Sequence, residues 1–184
     1  MESNPYAPPK AALSETAAAA TTLNEPAFYP TTVLKLIVLS VCTMGLYEIY
    51  WFYRNWQRVK EGTGADISPF WRALFGFFFA YRLFDRVRKH PAMGEHSLPA
   101  GLLTAAWVLL TILWRLPDPY WLLTYLAVFA LVPVQRATAR INAQIAPDHD
   151  RNARFTVWNW VGVCLGGLCF LFLVYATFVQ VPAS

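Results

Sequence analysis

Charge is what this sequence is shortest of. Asp, Glu, Lys and Arg make up 14% of its 184 residues, where a soluble domain carries about 25%. A chain of this length needs a charged surface to stay dissolved, so an ordinary soluble fold is set aside. Cysteine is scarce as well. Cys42, Cys164 and Cys169 all lie in apolar runs, with no CxxC pair and no neighbouring His. That pattern argues against a disulfide scaffold or a zinc site and reads as three small apolar side chains. The chain also lacks GxSxG, HExxH, a phosphate-binding loop and a dinucleotide fingerprint, so no catalytic residue and no cofactor is expected. Residues 1–30 lack a basic start followed by an apolar core and a cleavage site, so no cleaved secretory signal is read there.

Apolar residues make up 57% of the chain and the mean hydropathy is +0.35. Aromatics reach 16%, with eight Trp. Trp and Tyr suit the headgroup zone, where a ring buries and a polar tip stays wet. Of the 15 Lys and Arg, all but Lys10, Lys35 and Arg115 fall in two stretches, Arg54–Lys89 and Arg136–Arg154. Basic residues that flank membrane spans stay preferentially on the cytoplasmic side. The net charge of +4 is accounted for in this way, and no nucleic-acid partner is expected. The sequence therefore predicts an all-α, polytopic helical membrane protein with about four membrane-embedded helices and a cytoplasmic-interface amphipathic helix.

Residues 1–28 contain Pro5, Pro8, Pro9 and Pro26 and an Ala/Thr-rich stretch. They read as a disordered N-terminal tail, with a helical membrane domain over 29–184. The first membrane segment covers about 32–53. It is just long enough to cross about 30 Å of hydrocarbon, but Thr43-Met44-Gly45 is a weak point at its middle. Two threadings fit. It spans once and leaves the tail outside, the commoner architecture, or it dips in and returns, leaving the tail inside. The single span, with the tail and C-terminus periplasmic, is the working expectation. Ser68 and Pro69 have the chemistry of a helix N-terminus and open the interface helix, about 68–90. Its apolar centre, 73–81, is too short to span. Spans follow at about 98–115, 120–134 and 156–181. Arg115 and Asp118 sit in the turn joining the first two of these, within reach of each other. The second continues as a polar helix to Pro147. Gly162 and Gly166 stand in the last span at GxxxG spacing, which permits close helix contact.

Glu48 is the most unusual residue. A carboxylate within a membrane is costly, so it either serves a proton or cation site or pairs with a basic residue such as Arg72 or Arg82. Ser40 and Thr43 read as hydrogen-bonded to backbone within their own segment. Asp148, His149 and Asp150 have metal-ligand side chains but are adjacent in a loop, and read as a solvated turn. Arg86, Arg88 and Lys89 are expected to contact anionic lipid headgroups, each contributing on the order of 1 kcal/mol.

The runs Phe28–Trp56, Ile67–Phe75, Leu83–Val87 and Ala146–Trp160 resemble an uncharacterised bacterial family of small polytopic membrane proteins that carries a GxYxxYWxY segment, a domain of unknown function. Gly45, Tyr47, Tyr50, Trp51 and Tyr53 match that segment. The resemblance implies a bacterial inner-membrane location and brings no activity, cofactor or catalytic residue. The function expected is non-enzymatic, structural or accessory, through contacts with lipid, a membrane-protein partner or a second copy of the chain. A small transporter or channel using Glu48 near a broken helix is the alternative, and a lipid-acting enzyme the third.

Overall fold

The computed structural model describes residues 25–179. Most of the expected disordered tail, residues 1–24, lies outside the described residues, as do the last five positions. The described chain is all-helical. Its elements are α1 (Val33–Cys42), α2 (Leu46–Thr63), α3 (Pro69–Leu74), α4 (Gly76–Arg88), α5 (Ala100–Ile112), α6 (Ala127–Ile145) and α7 (Val157–Val179), with 3-10 turns at Pro91–Met93, Leu113–Arg115 and Tyr120–Leu126.

Two helical stretches are long and apolar enough to cross a membrane, Tyr120–Ile145 and Val157–Val179. They differ in how they are covered. Half of the first is buried in the protein, whereas almost none of α7 is. Leu165, Leu168, Leu171 and Phe172 on α7 are all more than 60% exposed. Val33–Cys42 and Ala100–Arg115 are shorter apolar helices.

The first segment does not run through. Met44 and Gly45 take positive φ, 52° and 85°, a conformation that ends a right-handed helix. Ten residues of α1 rise only about 15 Å. The chain then folds back: in one straight helix Lys35 and Arg54 would stand about 28 Å apart, yet both line one pocket. This corrects the expectation of a single span over 32–53. The tip of the hairpin stops near the middle of α7, where a Cβ on Gly166 would overlap the Cys42 carbonyl oxygen and one on Gly162 would touch Thr43 at 3.6 Å. The GxxxG spacing is thus a seat for the α1 tip.

The expected interface helix is also two pieces. It begins at Pro69 as its sequence predicts, but breaks at Phe75 (φ −95°, ψ 41°). Arg72 on α3 and Lys89 at the end of α4 line the same pocket, although a straight helix would separate them by about 25 Å. Helix α5 and α6 form a hairpin, with Thr124 Oγ1 donating to the Thr111 carbonyl at 3.1 Å. The span and its polar continuation are one helix, α6, with Pro133 inside it.

Buried amides fasten the ends together. Asn142 on α6 accepts from Phe28 N–H and donates to its carbonyl, at 3.0 and 2.8 Å. Asn55 on α2 accepts from Tyr29 N–H at 3.2 Å. Gln135 donates to the Thr31 carbonyl at 2.8 Å and accepts from Trp51 Nε1 at 2.7 Å. Phe28 is therefore core, 2% exposed, and the tail expected to reach residue 28 stops short of it. Lys35, 2% exposed, donates to Asn152 Oδ1 at 2.8 Å and to the carbonyls of Arg154 and Asn152 at 2.9 and 3.3 Å. The basic clusters of α2, α4, α6 and the 146–156 loop gather at this end. Arg115 stands at the other end. It lies over the Trp114 ring, 5.4 Å from its centroid, rather than pairing with Asp118.

Candidate functional site

The tip of the α1–α2 hairpin places Glu48 in the interior. The break is built locally. Thr43 Oγ1 donates back to the Leu39 carbonyl at 2.7 Å and accepts from Tyr47 N–H at 3.0 Å. One hydroxyl thus closes α1 and covers a free donor of α2, as the expectation for Thr43 required. Gly45 supplies the left-handed step and its carbonyl accepts from Glu48 N–H at 2.9 Å. Glu48 then stands in the first turn of α2, where the helix dipole favours a negative charge.

Glu48 is 9% exposed. Its hydrogen-bond partner is Trp107 of α5, whose Nε1 donates to Oε2 at 2.7 Å. Neither Arg72 nor Arg82 reaches it, which overturns the ion-pair reading. Arg72 stacks on Trp56 and Phe79, 4.5 and 5.3 Å from their centroids, and Arg82 on Phe79 at 5.8 Å. Among the described residues no cation pairs with Glu48.

Two cavities meet at this carboxyl. One, of about 370 Å³, is lined by Ser40, Gly45, Glu48, Trp121, Thr124 and Tyr125 among others. The other, about 220 Å³, lies toward Phe52, Gly76 and Trp107. Ser40 is 2% exposed and its Oγ has no hydrogen-bond partner, contrary to the expectation that it bonds to its own backbone. A buried hydroxyl without a partner costs about 1–3 kcal/mol, so a ligand or water in the larger cavity would relieve it.

No family model, curated protein or solved structure matches this chain. The site is therefore read from its own chemistry.

The other residues singled out in the sequence divide into three groups. Trp51 is fully buried and bonded to Gln135, so it is a structural pin. Tyr47 and Tyr50 turn the opposite way from the Glu48 cavities and line an open pocket of about 800 Å³ with Tyr29, Lys35, Arg54 and Arg58. Tyr47 Oη lies 3.5 Å from Thr31 Oγ1. Of the headgroup candidates, Arg86 and Lys89 line the pocket on α4, while Arg88 is bonded to Asp85. Sequence reasoning missed Trp107, Asn55, Gln135 and Asn142. Each bonds across at least 26 residues of sequence, and no local pattern marks such a partner.

Proposed function

We propose that this chain is a multi-pass protein of a bacterial inner membrane that passes a proton or small cation through a site at Glu48. In this reading α5, α6 and α7 cross the bilayer. The α1–α2 hairpin enters from the basic, cytoplasmic side and turns back at mid-depth, giving four embedded elements. Membership of the uncharacterised GxYxxYWxY family is part of the same proposal.

The observation that carries it is a buried carboxyl with no cation beside it among the described residues, at a broken helix and against a cavity. Charge at that depth is costly, so a proton or a cation has to meet the carboxylate. Broken helices in membranes line sites of this kind, and non-helical backbone at depth is tolerated where it is enclosed by protein or faces a cavity. The nearly unburied apolar surface of α7 supports the membrane setting, since a soluble monomer rarely leaves so large a patch uncovered.

The test is flux in proteoliposomes loaded with a pH-sensitive or Na⁺-sensitive dye. The native chain should dissipate an imposed gradient, and Glu48→Gln should abolish that flux while the protein keeps its helicity. Unchanged flux in Glu48→Gln would remove the residue from the mechanism.

A second reading, a structural or accessory protein acting through lipid and protein contacts, is favoured by the exposed aromatics of α3, α4 and the break between them, including Phe70, Trp71, Phe75 and Phe78. It predicts no flux from either form and a stoichiometric partner retained in native lipid particles.

A further inference from the structure

Away from Glu48, one pocket gathers positive charge without matching negative charge. It lies at the basic end between α2, α3 and α4, holds about 570 Å³, and is lined by Trp56, Arg72, Arg82, Asp85, Arg86, Lys89 and His90 among others. Asp85 answers Lys89 alone among these cations and leaves the three arginines. Its oxygens are taken by Arg88 and, at 2.7 Å, by Lys89, and these bonds hold its carboxyl below the usual range. Arg72, Arg82 and Arg86 have no acidic partner among the described residues. Arg72 is held in place by the Trp56 and Phe79 rings. Burial, with Arg82 and Arg86 close by, disfavours its charged form. Beneath it the Trp56 Nε1 is buried without a partner.

Three guanidinium groups that repel one another need an anion. Arg presents a planar fork that matches phosphate oxygens two at a time. Tyr81 also lines the pocket, and the same α3 and α4 that carry its arginines expose the rings of Trp71 and Phe78. Those rings favour a phosphate that arrives attached to acyl chains. Basic pockets between helices at a cytoplasmic face hold anionic headgroups in this way. We propose that the α2–α3–α4 pocket is a discrete site for the phosphate of an anionic phospholipid, with Arg72, Arg82 and Arg86 as its ligands and Lys89 at its rim. The site differs from the sequence-based expectation of a headgroup-contacting run Arg86, Arg88 and Lys89. Arg88 is bound to Asp85 and does not line the pocket, whereas Arg72 and Arg82 do.

The test is calorimetric titration of the purified full chain, in a fixed detergent background, with dihexanoyl-phosphatidylglycerol. One saturable site is expected. Arg72→Gln and Arg82→Gln should each weaken it about tenfold, the loss expected when a bond to a charged group is removed, and Arg140→Gln, on α6 and outside this pocket, should leave it unchanged. Arg72→Lys, which keeps the charge but not the fork, should weaken it as well. Circular dichroism and gel filtration check each variant. If Arg72→Gln misfolds, the exposed Arg82 carries the test. Equal binding of dihexanoyl-phosphatidylcholine would overturn the proposal, and so would an Arg140→Gln loss as large as that of Arg82→Gln, which would mean diffuse surface attraction. Inorganic phosphate that saturates the pocket and displaces the lipid at similar concentration would overturn the lipid source and assign a soluble phosphate compound instead.

Discussion

Two residues, Gly45 at the hairpin tip and Asn142 on α6, show how much rests on single positions. Gly45 holds φ at 85° with open space around its Cα, so Gly45→Ala meets no clash and is opposed by backbone strain alone. That strain is about 1–2 kcal/mol, and thermal unfolding in micelles should report a loss of that order. Asn142 is a different case. It answers both polar groups of Phe28, and Asn142→Ala would leave a buried N–H and a buried carbonyl unpaired. Each such group costs about 1–3 kcal/mol, so the loss should exceed that of Gly45→Ala in the same assay. The conformational weak point at Gly45 was visible in the sequence, because Thr43-Met44-Gly45 interrupts an otherwise apolar run. The clamp at Asn142 was not. An Asn in a polar helix segment reads as solvent-facing until the residue it meets, 114 positions away, is known.

At the scale of elements, the approach of α1 to α7 is governed by two glycines that are not equivalent. A Cβ on Gly166 would overlap backbone at Cys42, while one on Gly162 would make ordinary contact with Thr43. Gly166→Ala should therefore push the α1 tip off α7 and cost about 1–3 kcal/mol, the usual penalty for overpacking. Gly162→Ala should be nearly neutral. A comparison of melting temperatures in one detergent decides this, and equal effects would mean that the two helices do not meet as described. The sequence showed the GxxxG spacing and the all-helical class, since hydropathy and proline, glycine and serine punctuation are local signals. Helix direction after a break is not local. Neither segment expected to be continuous, 32–53 or 68–90, is one helix, because Met44–Gly45 and Phe75 leave helical geometry. A short apolar run gives no sign of whether it ends in a crossing or a return.

For the whole molecule, the return of α1–α2 changes the side that the N-terminal end of the described residues would occupy and leaves the far end of α7 where the single span would put it. With the hairpin re-entrant, Glu25 and the 64–68 loop share the basic end with Lys35, Arg54 and Arg151, and Arg115 remains at the far end. That distribution fits the preference of Lys and Arg for the cytoplasmic side better than a single span, which would put Lys35 and residue 25 outside. Single cysteines can test it in a chain whose Cys42, Cys164 and Cys169 are first replaced by alanine. Asp66→Cys, His96→Cys and Arg151→Cys should be reached by a membrane-impermeant maleimide only from the cytoplasmic side, in inverted vesicles, and Asp118→Cys only from the periplasmic side, in spheroplasts. A cysteine at Glu25 separates the two threadings. Labelling together with Asp66→Cys requires the re-entrant hairpin, because an even number of crossings then lies between them. Labelling together with Asp118→Cys requires a full span through Thr43-Met44-Gly45, and would move Glu48 away from mid-depth and remove the premise of the cation site.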